Sequence, residues 1–119
     1  MKKYTIWLSY DLGFRTATQE MSQVEENKQY QERYTAFKPW LEEKEVQNLG
    51  DSVVLFSYEK DSNQKVEKTL KEEILKVFRD AKIDDLKGIR IYAIIAGEIL
   101  VGNIPHLVLF YGGFLINNE

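Results

Sequence analysis

Between Lys3 and Arg15 the chain alternates: Tyr4, Ile6, Leu8, Tyr10 and Leu12 hold one parity, and Thr5, Trp7, Ser9 and Asp11 hold the other. Successive side chains of an extended strand point to opposite faces, so this period of two predicts a strand with one wholly apolar face and one mixed face. The apolar face must be covered by another layer. The mixed face carries an aromatic ring among hydroxyls and ends in Asp11, just before Gly13, which permits the turn out of the sheet. The strand therefore delivers a single carboxylate to its exit. There Asp11 either caps the turn through Gly13 or holds a metal ion.

The length of 119 residues suits one domain over 1–119. At that size folding buries about two-thirds of the surface the unfolded chain exposes, enough for a real core. A hydrophobic fraction of 44% with 29% charged residues is that of a globular chain. There is no cysteine, which excludes disulfides, thiolate metal sites and cysteine nucleophiles. The net charge of −3 supplies no global attraction to phosphate, so a nucleic-acid role needs a local basic patch or a bridging divalent ion. Two lysines lead straight into the alternating strand without a signal-peptide pattern, and no run of about 20 apolar residues is present. The expectation is a cytoplasmic protein with no membrane partner.

Residues 16–31 are polar and read as an inserted loop running into a helix. Tyr30, Tyr34, Phe37 and Leu41 then fall on one helical stripe, with Pro39 inside it as a kink or as the start of a second short helix. Glu45 to Gly50 followed by Ser52 to Tyr58 reads as a strand pair turning at Gly50-Asp51 or as one longer strand with a bulge there, and apolar residues on both parities of the second run predict a central strand. Asp61 with Gln64 resembles a capping box for a helix whose buried stripe is Val66, Leu70, Ile74, Val77, Phe78 and Ala81. Ile89 to Ile95 reads as a strand that Gly97-Glu98 breaks, and residues 96–119 as a C-terminal extension of one or two strands, with Gly102-Asn103 as a turn.

Strand, helix, strand pair, helix, strand is the order of a ferredoxin-like βαββαβ fold, an α+β antiparallel sheet with two helices on one face and extra C-terminal strands. The apolar residues left over on the second face and in the tail predict an interface, and a homodimer is expected.

The strand ending Tyr10-Asp11-Leu12, the nearby arginine, the helix, the Gly50-Asp51-Ser52-Val53-Val54 region, the second amphipathic helix and the closing strand resemble, over residues 3–95, the SinR-like proteins. These are relatives of CRISPR-associated protein 2 and of VapD-type toxins. The resemblance implies a ferredoxin-like homodimer acting on or with nucleic acid. In members that cut nucleic acid, the strand-end aspartates of two subunits face each other around Mg²⁺. By position that carboxylate is Asp11. A magnesium-dependent endonuclease is chemically coherent there, because Mg²⁺ takes one or two carboxylates plus waters and substrate phosphate.

Beside Asp11, Ser9 either assists in binding substrate or faces solvent. Arg15 either contacts phosphate or pairs with nearby acids. Trp7 suits a core or dimer interface better than a base-stacking platform. His106, the single histidine, follows Pro105 in an expected loop with no partner in view for general-base work. Glu25-Glu26, Glu42-Glu43 and Glu72-Glu73 read as solvated surface. The alternative to an enzyme is a non-catalytic protein-binding module, of the inhibitor or immunity-factor kind, using the acidic surface and the apolar tail.

Overall fold

The alternating strand is β1 (Lys2–Asp11), and both its edges are hydrogen-bonded. A computed structural model describes residues 2–13, 23–60 and 63–118, without the side chains of residues 23, 24, 26, 27, 63 and 64. After β1 come α1 (Gln23–Glu43), β2 (Gln47–Gly50), β3 (Val53–Lys60), α2 (Asn63–Asp80), β4 (Arg90–Val101) and β5 (Ile104–Asn117). The strands form one antiparallel sheet in the order β2-β3-β1-β4-β5.

This arrangement corrects the ferredoxin-like βαββαβ assignment. The sheet has five strands against only two helices, more residues lie in strand than in helix, and the longest pairing, β4 with β5, is one that fold does not contain. The misreading has a physical source at Gly97. Instead of breaking the strand, Gly97 continues it, because the space a side chain would take is filled. A Cβ there would lie 2.7 Å from Phe110 Cε2 and 3.0 Å from Tyr4 Cδ1. The two rings meet edge to face at 5.8 Å over the glycine, an aromatic cover that compensates for the missing side chain. Phe110 can reach it because the β4–β5 register shifts between Ile95 and Ala96, leaving Phe110 as the extra residue of a bulge.

The apolar parity of β1 behaves as its pattern requires. Tyr4, Ile6, Leu8 and Tyr10 are buried with Val54, Phe56 and Tyr58 of β3 and Ile91, Ala93 and Ile95 of β4. Both helices cover this face. From α2 come Val66, Leu70, Ile74 and Phe78, while Ala81 lies beyond the helix and is exposed. From α1 come Phe37, Trp40 and Leu41, with Phe37 edge to face against Tyr10 at 5.2 Å and Trp40 against Phe56 at 5.6 Å. Helix α1 runs through Pro39, which is exposed, as one element. Asp61, the expected N-cap of α2, lies outside the described residues.

Among the described residues one charged group lies inside. Arg33 of α1 is 2% exposed, and its guanidinium donates to the carbonyls of Leu12 at 2.8 Å, Lys87 at 2.9 Å and Asp85 at 2.7 Å. A planar fork of five donors suits a cluster of carbonyls, which no single ammonium matches. Arg33 thereby ties the exit of β1 to the segment entering β4. The same junction brings two backbones together: a Cβ on Gly13, whose φ is +37°, would sit 2.6 Å from the Gly88 carbonyl oxygen. No helix among the described residues is long and apolar enough to cross a membrane.

Beyond the Tyr4↔Gly97 pair β1 no longer flanks β4, yet β4 and β5 stay paired to Val101↔Ile104. The Gly102-Asn103 turn, with Gly102 at φ +65°, closes this two-stranded arm. At about 3.3 Å per residue the arm projects on the order of 15 Å past the last β1 pairing. The radius of gyration, 16.2 Å, accordingly exceeds the roughly 13.5 Å expected of a compact domain of this length.

Arg33→Met removes the donors of three carbonyls. At about 1–3 kcal/mol for each buried group left unpaired, it is expected to cost about 3 kcal/mol of stability, and Arg33→Lys should recover little of it. Urea unfolding reads this directly; an unchanged midpoint would show that the cage carries no weight.

Candidate functional site

The face of the sheet opposite the helices carries the residues singled out at the exit of β1. Asp11 Oδ1 accepts a hydrogen bond from the Gly13 amide at 3.1 Å, the turn cap that an aspartate two residues before a glycine supplies. Its Oδ2 accepts from Arg90 Nη2 at 2.8 Å. Arg90 is the directly opposed residue of β4, so the ion pair is a cross-strand pair fixed by register. Ser9 lies two residues earlier on the same face, exposed, and opposes Tyr92. Tyr92 meets Phe114 of β5 edge to face at 5.2 Å. Ser9, Asp11, Arg90, Tyr92 and Phe114 line an open cavity of about 300 Å³.

Both carboxylate oxygens of Asp11 are thus engaged by donors of this chain. Among the described residues no group of three or more His, Cys, Asp or Glu side chains is placed to hold a metal ion. A magnesium ion here would have Asp11 as its protein ligand and would compete with Arg90 for Oδ2. Arg15, the expected phosphate contact, lies outside the described residues. Trp7 is half-buried on the same face, between Leu55 of β3 and Ile94 of β4. His106 stands in β5 opposite Ile99, exposed, and not in a loop.

A second polar cluster lies on the helical side, where Glu73 had been expected on a solvated face. Its Oε1 accepts from Trp40 Nε1 at 3.1 Å and sits 2.7 Å from Lys44 Nζ, while Oε2 accepts from the Tyr58 hydroxyl at 2.5 Å. The Lys44 ammonium also lies 5.2 Å from the centre of the Tyr58 ring and 5.6 Å from that of Trp40, within cation–π range. Glu73 therefore joins α2, α1 and β3 at one point. The sequence marks it only by the coincidence of an aromatic, a lysine and a tyrosine on three other elements, which no local pattern connects.

Burial alone would raise the Glu73 pKa. The hydrogen bonds from Lys44, Tyr58 and Trp40, with the Lys44 charge, outweigh that and hold the carboxyl below its ordinary range. Burial, with the hydrogen bond to Glu73, pushes the Tyr58 hydroxyl up, so it stays the proton donor.

The third feature is the arm itself. On it Leu100, Val101, Ile104 and Leu107 are each 55–68% exposed and Ile99 is 41% exposed, while Leu109, just inside its root opposite Ala96, is 63% exposed. From Ile99 to Asn118 the sequence contains no Asp, Glu, Lys or Arg. Edge strands are ordinarily protected by charge, and here only Pro105 near the tip and the bulges serve that purpose.

A carboxylate with a lowered folded-state pKa stabilises the fold above its unfolded pKa of about 4.3 and loses that contribution as pH falls through the folded value. Glu73→Gln should therefore be less stable than the parent at pH 7, by about 1–3 kcal/mol for hydrogen bonds to a charged acceptor, and the gap should close below about pH 4. Denaturant titrations at pH 7 and pH 3 check this; a gap that persists unchanged at pH 3 would assign the loss to packing instead. Comparison with known proteins finds no matching family model and no matching curated protein.

Proposed function

We propose that this chain is a non-catalytic protein-binding module and that the β4–β5 arm is its docking element. One observation carries the reading: a ribbon with no third strand among the described residues, charged only at Glu98, exposes five apolar side chains, Ile99, Leu100, Val101, Ile104 and Leu107. An isolated two-stranded hairpin is at best marginally stable in water, and contiguous apolar surface of this kind marks an interaction site. The root of the arm is built to hold it in place, since Tyr4 and Phe110 clamp Gly97 where the three-stranded support ends. The acidic surface considered from sequence is not needed for this mode of binding.

A photo-reactive amino acid placed at Leu107 should give covalent adducts in cells expressing the full chain, whereas the same group at Lys71, on the exposed side of α2, should not. Equal adduct yields at both positions would remove the arm from its assigned role.

A second reading is nucleic-acid association, with magnesium-dependent phosphodiester cleavage at Asp11 in a homodimer. The open cavity beside Asp11, with a guanidinium and two aromatic rings on its walls, favours it. It requires Asp11 to exchange Arg90 for a metal ion. Metal-dependent cleavage of labelled RNA or DNA that Asp11→Ala abolishes would establish this chemistry. With Asp11 acting as a turn cap and ion-pair partner, the expected outcome is no cleavage by either protein and a loss of about 1–2 kcal/mol of stability in the variant.

A further inference from the structure

We propose that the partner of the arm is a different protein, which takes the arm into an uncharged apolar cleft up to an acidic rim that meets the lysines at its root. This rests on the docking reading above and states the shape and charge of the partner.

Register decides the shape. Successive residues of a strand face opposite ways, and β4 keeps its phase past the bulge because the extra residue, Phe110, belongs to β5. Gly97 pairs with the core residue Tyr4, so Ile99, Val101 and Ile104 lie on the parity that faces the helices lower in the sheet. Leu100 and Leu107 lie on the other parity, with Pro105. All five aliphatic side chains are exposed. A flat contact, or a single strand added at one edge, would leave one of these faces in water. A cleft with two walls covers both, and it must admit the ribbon to a depth on the order of 15 Å.

A bilayer would also surround the arm. However, the outer edges of the ribbon meet no further strand among the described residues, and hydrocarbon cannot satisfy their backbone N–H and C=O groups as a protein wall can. A second copy is a poor host. The cavities beside Arg33, between α1 and Ile83, along α2 and at the exit of β1 all have charged side chains on their walls.

The root supplies the charge. Lys2 stands directly opposite Lys60, where β1 begins and β3 ends, two residues from the Tyr4↔Gly97 pair at which the arm departs. Like charges directly opposed on neighbouring strands are destabilising. Among the described residues no ion pair joins either ammonium to a carboxylate. Carboxylates on the rim of the cleft would relieve this pair as the arm enters.

With the photo-reactive amino acid at Leu100 on one face or at Val101 on the other, cells expressing the full chain should give adducts of one mass, different from twice the 14.0 kDa chain mass. With the group at Leu107, either Leu100→Lys or Val101→Lys should lower the adduct yield at least about tenfold, because each carries an unpaired charge into the cleft. Both substituted side chains are exposed, so the urea midpoint of each variant should match the parent. The double variant Lys2→Glu/Lys60→Glu keeps a like-charge pair of opposite sign; it should also lower the yield, and Lys71→Glu on α2 should not. Adducts at Leu107 that survive one of the two lysine substitutions would overturn the cleft and leave the docking reading standing. Adducts of twice the chain mass would do the same, replacing the different protein by a second copy. A yield unchanged by the reversal at Lys2 and Lys60 would overturn the acidic rim. Co-sedimentation of the purified chain with phosphatidylcholine vesicles, abolished by Leu100→Lys, would overturn both readings in favour of a bilayer, and no adducts at any arm position would end both.

Discussion

Every layer of this molecule depends on β1 being hydrogen-bonded along both edges. A strand paired on two sides cannot slip without moving its whole apolar set to the wrong face, so its register with β3 and β4 fixes the core. The same register places Asp11 against Arg90 at one end and Tyr4 against Gly97 at the other. Where β1 stops flanking β4, the body stops. The arm exists because β4 and β5 are longer than the strand that supports them, and its exposure follows from that mismatch in length.

Two polar anchors hold the layers on this sheet. Arg33 reaches from α1 to three carbonyls at the β1 exit and the approach to β4, and Glu73 reaches from α2 to Trp40, Lys44 and Tyr58. Burial of charge is costly unless hydrogen bonds replace the lost water, and in both cases the partners are in place. Each anchor joins elements distant in sequence, which restricts how the helices sit over the core. Neither anchor touches the open face or the arm. The parts of the molecule that fix its shape are thereby separate from the parts that can meet a partner.

Much of the fold was legible in the sequence where local period carries the information. The two parities of β1, the interior character of Val53 to Tyr58 and the stripe from Val66 to Phe78 each follow from side-chain spacing alone. What was misread depended on contacts across the chain. Gly97 looks like a breaker until Tyr4 and Phe110 are seen to cover it, and His106 looks like a loop residue until β5 is seen to begin at Ile104. At the candidate site, the Asp11–Gly13 turn was readable as an aspartate two residues before a glycine. Arg90 was not, because only the β1–β4 register brings together residues 79 positions apart. Arg33, in a polar run of Gln31-Glu32-Arg33, carries no local mark of burial. The lack of charge from Ile99 to Asn118 was visible in the sequence, but its meaning required knowing that β5 is an edge strand.

The outer edge of β5 is therefore the place to measure. Amide hydrogen exchange of the purified chain, followed residue by residue at two protein concentrations, distinguishes an edge that is covered from one that faces water. An arm free to dock predicts that the outward-facing amides of β5 exchange fast in the purified chain, while those of the interior strands β1 and β3 stay protected at both concentrations. Protection of those edge amides equal to that of β1 and β3 at both concentrations would contradict it.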